Sequence, residues 1–135
     1  MRIAYLCMDR GVPVFGWTGS SIHVQEVVRG FLAQGARVEL FVARTGNDPP
    51  PGLARVPVHR IAVLLEGPRS ALEQSGFAAN RDLRAALRRG GPFDLVYERY
   101  SLWSFAGMES ARDMGVPGLL EVNAPLVEQQ AQYRG

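Results

Sequence analysis

The run Tyr97-Glu98-Arg99-Tyr100 sets two phenol rings beside a carboxylate and a guanidinium. That mixture suits a sugar or another polyol. Aromatic faces stack on C–H surfaces, while Glu98 and Arg99 bond hydroxyls. The same residue types fit an internal Glu/Arg pair capping the edge of a sheet. Further along, Glu121 and Asn123 alternate with apolar neighbours. A strand there points both to one side, where they too would meet a ligand. Upstream, Gly16, Gly19, Ser20 and Ser21 lie just before a helical stretch that contains His23. Glycines let a backbone approach a ligand, and free N–H groups at a helix start favour an anion. A turn followed by an N-cap accounts for the same residues. His23 can titrate or bind a ligand, although a solvent-facing helical histidine is the plainer reading.

These groups need a frame. Residues 2–8 form a short, nearly all-apolar run, the pattern of a central parallel strand covered on both faces. A Gly- and Pro-containing loop follows over 9–20. Residues 21–34 form a helix, with Val24, Val27, Val28, Phe31 and Leu32 on one side. Ser20 or Ser21 is its expected N-cap and Gly35 its stop. Strands are expected over 37–43, 55–64, 94–100 and 118–123, and helices over 70–89 and 102–114. The tail beyond Pro125 would begin another helix. The order is β-α-β-β-α-β-α-β, which implies an α/β fold: a Rossmann-like, doubly wound parallel sheet in the order 3-2-1-4-5. In such a sheet ligands bind beyond the C-terminal strand ends, near the switch between strands one and four.

The loop after the first strand is not a dinucleotide fingerprint, which sets its glycines tight against the strand. The second strand runs into Arg44, not into an acid that would hold an adenosine ribose. No P-loop, no Gly-x-Ser-x-Gly elbow and no metal-ligand spacing occurs in the sequence. His59, within the third expected strand, is read as structural. The 135 residues are 47% hydrophobic and 21% charged, an ordinary mixture for one globular domain. All 15 basic residues are arginine, yet the formal net charge is only +2. Nucleic acid is therefore not expected as a partner. Arg81, Arg84 and Arg88 share a helical face that would suit anionic lipid, or simply solvent. One cysteine, Cys7, excludes an internal disulfide. The expected location is cytoplasmic, with peripheral contact to the inner membrane face as an option.

Four stretches together resemble the N-terminal domain of the family-4 glycosyltransferases of the GT-B architecture. They are residues 2–6, 19–38, 94–100 and 115–126, and their order and spacing carry the likeness. The resemblance implies a two-domain enzyme. It transfers a sugar from a nucleotide-sugar to an acceptor hydroxyl, with retention and without a metal or cofactor. The N-terminal domain would bind a carbohydrate, lipid-linked or small-molecule acceptor through Glu98, Arg99, Tyr100, Glu121 and Asn123. Gly19 matches the first of the family's paired glycines near the donor phosphates, and Ser20 replaces the second. Gly16, Ser21 and His23 belong to the same loop and helix start. Asn123 stands where many relatives have a histidine, which puts any catalytic part for that position in question. On this resemblance, residues 1–135 form a partial N-terminal domain, the C-terminal donor-binding domain is its missing partner, and the chain alone is expected to be inactive. The alternatives from other classes are a stand-alone α/β ligand-binding module and a Rossmann-type nucleotide-sugar or nicotinamide enzyme.

Overall fold

A computed structural model describes residues 1–123. Eight elements follow one another: β1 (Arg2–Cys7), α1 (Gly19–Ala33), β2 (Arg37–Val42), β3 (Val58–Arg60), α2 (Arg69–Gly90), β4 (Leu95–Arg99), α3 (Ala106–Met114) and β5 (Gly118–Glu121). The five strands are all parallel and lie in the order β3-β2-β1-β4-β5, as expected. β1 is central because neither of its faces tolerates water. Ile3, Tyr5 and Cys7 pack with Val24 and Val28 of α1 on one side. Ala4 and Leu6 pack with Leu83 and Leu87 of α2 and Ala111 of α3 on the other. A slip of one residue would exchange these two sets, so the register is fixed by burial on both faces.

The element ends differ from expectation where tertiary contacts decide them. α1 is capped by Thr18, not by Ser20 or Ser21: Thr18 Oγ1 accepts a hydrogen bond from the Ser21 N–H at 3.1 Å. Ser21 turns inward instead, and its hydroxyl donates to the Pro13 carbonyl at 2.6 Å. Gly35, at φ +86°, ends the helix as expected. α3 begins at Ala106 rather than at 102. The side chain of Asn80, on α2, accepts from the N–H groups of Phe105 and Ala106 at 2.8 and 2.9 Å. It caps α3 from another helix and holds residues 101–105 out of it. β3 is much shorter than 55–64. It has β2 alone to pair with, and the chain before it turns through a Val56 N–H to Leu53 carbonyl bond of 3.2 Å. The expected helix beyond Pro125 lies outside the described residues.

α3 approaches β4 closely because residue 107 has no side chain. A Cβ on Gly107 would collide with Leu6 Cδ2 and lie 2.7 Å from Glu98 Oε1. Gly107→Ala should therefore cost about 1–3 kcal/mol through overpacking. The check is a urea melt, with a lowered midpoint at unchanged slope.

Candidate functional site

Alternation along β4 divides the Tyr97-Glu98-Arg99 run between the two faces of the sheet. Tyr97 and Arg99 project to the α1 face, where Tyr97 joins the α1-side core and Arg99 Nη2 donates to Ser20 Oγ at 3.4 Å. Glu98 projects to the opposite face, beneath α3. The two charged residues therefore do not form one wall, nor do they pair with each other. In register, Arg99 sits beside Glu121 of β5.

Glu121 is the centre of the α1-side cluster. Its carboxylate accepts from His23 Nε2 at 2.9 Å, from Arg99 Nη1 at 3.3 Å and from the Tyr97 hydroxyl. The Asn123 side chain bonds it as well. Burial alone would raise the Glu121 pKa. The Tyr97, Asn123 and His23 contacts outweigh burial and hold the carboxyl below its ordinary range. Burial, reinforced by the Glu121 carboxylate, pushes the Tyr97 hydroxyl up to about 12. Tyr97 is thus a neutral donor and Glu121 a fixed anion near neutral pH. Tyr97 is held by stacking on Tyr5, with centroids 5.3 Å apart, and by the edge of Phe31 at 5.4 Å. A carboxylate and a guanidinium fixed side by side at a strand end can bind adjacent hydroxyls of a polyol.

The loop ahead of α1 is tied down along its length. Val14 and Phe15 donate backbone bonds to Arg44 and Thr45 at 3.1 and 2.8 Å, and Gln25 Nε2 reaches the Val14 and Gly16 carbonyls. Gly16 is buried here, and a Cβ would lie 2.8 Å from Pro13 Cγ, so this glycine is needed for packing. Gly19 is different: a Cβ would meet nothing within 4 Å. The first turn of α1 points its backbone N–H groups past Gly19 and Ser20, beside Arg99.

The other expected residues fall elsewhere. Glu98 is 1% exposed. Ser104 Oγ donates to its Oε2 at 2.8 Å, whereas its Oε1 has no partner. Burial pushes the Glu98 carboxyl up to about 7. Tyr100 is half-buried, and its backbone N–H donates to the Glu121 carbonyl at 2.8 Å. His59 bonds Glu39 at 2.9 Å and stacks on Phe41, a packing role as expected. Arg81 and Arg88 are exposed, while Arg84 is bonded to Glu109 of α3. Among the described residues no helix is long and apolar enough to cross a membrane. Sequence reasoning missed Tyr97 as a partner of Glu121 and Thr18 as the cap. The period-two rule applied to β4 would have found the first. A cleft of about 150 Å³ also opens on the α2 side, lined by Asp9, Arg10, Arg69, Glu73, Ser101 and Trp103 among others.

A family model for the glycosyl transferase 4-like domain matches residues 18–134. The chain belongs to this family. Among curated proteins, the D-inositol 3-phosphate glycosyltransferase of Thermobifida fusca is 29% identical over 106 residues. That of Nocardiopsis dassonvillei is 31% identical over 106 residues. Each alignment covers 73% of this chain, but only 24% and 25% of the relative. The glycosyltransferase-like chain thus spans about a quarter of the length of the curated relatives it matches. Among solved structures, the C-terminal domain of a Pyrococcus furiosus hydrogenase superposes with a TM-score of 0.59. The superposition covers 89% of this chain and 90% of that one at 14% identity, a likeness of fold alone. The Rossmann-like α/β architecture and the glycosyltransferase family are both established by these findings together with the sheet order.

Proposed function

We propose that this glycosyl transferase 4-like domain is the acceptor-binding front part of an enzyme that moves a sugar, with retention, from a nucleotide-sugar to an acceptor hydroxyl. The observation that carries the reading is the Glu121 cluster. Arg99, His23, Tyr97 and Asn123 converge on one carboxylate at the C-terminal ends of β4 and β5, beside the start of α1. Ligands of doubly wound sheets bind in that place. Arg99, Glu121 and Asn123 hold acceptor hydroxyls, and the relatives' names point to a polyol phosphate as the kind of acceptor. Asn123 does not exchange protons near neutral pH, so its part is hydrogen bonding. Gly19 and Ser20 lie nearest the donor phosphates, and the N–H groups at the helix start face that negative charge. A second domain supplies the rest of the donor site, so residues 1–135 alone show no transfer. Closure over both substrates is what aligns the hydroxyl with the sugar.

Gly19 offers a clean test, because the space around it is open in the protein itself. Gly19→Val should leave stability within about 0.5 kcal/mol of the parent, as a surface change. In the protein translated from the reading frame that contains this chain, it should lower kcat/KM at least about tenfold, or roughly 1.4 kcal/mol. Steady-state transfer assays and a thermal melt on the same preparation decide it. Unchanged kcat/KM in a folded Gly19→Val protein would remove the donor from this loop.

A further inference from the structure

Glu98 is sealed beneath the segment that joins β4 to α3, and nothing in the seal carries a charge to match it. Ser104 Oγ bonds one carboxyl oxygen at 2.8 Å, and the other has no partner. Gly107, in the first turn of α3, closes over that second oxygen, 2.7 Å from where a Cβ would stand. Leu6 of β1 and Leu120 of β5 flank Glu98 in register. The charged groups of every neighbouring element are engaged elsewhere or exposed. On α3, Glu109 is bonded to Arg84 of α2, Arg112 lies 4.0 Å from Glu109, and Asp113 is exposed. On α2, Arg69 pairs with Glu73, and Arg81, Asp82, Arg88 and Arg89 are exposed. Arg2 of β1 bonds Glu39, and Arg99 bonds Glu121 on the other face of the sheet. Burial lifts the Glu98 pKa to about 7, the Ser104 bond offsets part of the rise, and no charged side chain among the described residues contributes.

The covering segment is lightly held. Residues 100–105 belong to neither a strand nor a helix. Trp103 has φ +70°, a conformation that persists in a bulky residue only where the surroundings enforce it. Asn80 enforces it: its amide donates to the Trp103 carbonyl at 2.7 Å and accepts from the Phe105 and Ala106 N–H groups. Trp103 and Phe105 are 42% and 40% exposed, so little apolar burial adds to that one anchor. Segments of this kind open at a free energy well below that of the whole domain. Ser101, Leu102 and Trp103 also form one wall of the α2-side cleft.

We infer that residues 101–107 are a pH-operated lid: it lies closed on neutral Glu98, lifts from α2 to admit water when Glu98 gives its proton to solvent, and takes the cleft wall with it. A carboxylate kept under the closed lid would be a buried charge without a counter-ion, whereas opening hydrates it. Hydrated Glu98 ionises near pH 4.5 and covered Glu98 near pH 7. Closure is therefore fully favoured below pH 4.5, weakens as the pH rises to 7, and levels off above that, with a limit of about 300-fold in the closed-to-open ratio. The inference makes no use of the function proposed above.

Hydrogen exchange read by mass spectrometry tests the lid in the protein translated from the reading frame that contains this chain. Peptides spanning 100–109 report the Phe105 and Ala106 amides that Asn80 protects. Peptides spanning β1 report opening of the whole domain. After correction for intrinsic exchange, protection of the Phe105 and Ala106 amides should fall roughly 50- to 100-fold between pH 5 and pH 8.5. It should stay at least about tenfold below that of β1 at both values. Glu98→Gln, neutral throughout, should change by less than about threefold. Ser104 is half-buried, so Ser104→Ala stays folded. It deletes a bond that favours the ionised carboxyl, so its fall in protection should match or exceed the parent's. The lid is overturned if the Phe105 and Ala106 amides exchange no faster than β1, if their protection in the parent does not change with pH, if Glu98→Gln shows the parent's fall, or if the fall in Ser104→Ala is smaller.

Discussion

Between about pH 4.5 and pH 8 the protein should lose roughly 3 kcal/mol of stability through one residue, and Glu98→Gln should remove that loss. Glu98 is 1% exposed, one of its oxygens has no partner, and burial lifts its pKa from 4.5 to about 7. Below pH 4.5 the carboxyl is protonated in both the folded and the unfolded chain, so it adds no pH dependence. As the pH rises, the unfolded chain ionises first and the folded chain resists, so stability falls. Above about pH 7 the folded chain ionises too, and the penalty levels off. Urea melts at pH 5 and pH 8.5 on the parent and on Glu98→Gln measure this directly. Parallel pH dependence in the two proteins would show that Glu98 is not the titrating group.

Removing Glu121 should harm the fold more than removing its main cationic partner. In Glu121→Gln the Arg99 guanidinium, whose side chain is 11% exposed, is left without its counter-ion. That should cost about 2–3 kcal/mol. In Arg99→Met the carboxylate keeps donors from His23, Tyr97 and Asn123, so the cost should be only about 1 kcal/mol. The double variant should lose clearly less than the sum of the two, because the charge stranded by one change is removed by the other. The Glu121 contribution is present above the unfolded carboxylate range and fades as acid protonates Glu121, since its folded pKa is depressed. Thermal melts of the four proteins at pH 7 form the cycle. Strict additivity would mean that Arg99 and Glu121 do not interact.

Much of the frame is legible in the residues themselves. A short apolar run at residues 2–8 suggests a strand covered on both faces, and β1 is central in the sheet, as that reading expects. Gly35, at φ +86°, announces a helix end because few other residues tolerate that turn, and Pro92 announces the end of α2 because proline cannot continue a helix. The site is less legible, for two physical reasons. First, adjacent strand residues face opposite ways, so the conspicuous Glu98-Arg99 pair is split by the sheet. The period-two alternation of a strand, readable in the sequence, assigns them to opposite faces. Second, the remaining partners meet over distances that no local pattern encodes. His23 reaches Glu121 across 98 residues, and Asn80 caps α3 from 26 residues away. Thr18, Ser20 and Ser21 all offer a hydroxyl at the start of α1, and only the inward bond from Ser21 to Pro13 settles which one caps.

The measurement that bears most directly on the proposed chemistry is kcat/KM for glycosyl transfer in the protein translated from the reading frame containing this chain. Nucleotide-sugars are supplied with D-inositol 3-phosphate and other polyol acceptors, and products are followed by mass. The parent should form an acceptor carrying one added sugar. Arg99→Met and Asn123→Ala, each verified as folded, should lower kcat/KM by roughly five- to a hundredfold, the loss of one ligand hydrogen bond. A parent that transfers sugar while both variants retain full kcat/KM would contradict the assignment of the acceptor to the Glu121 cluster.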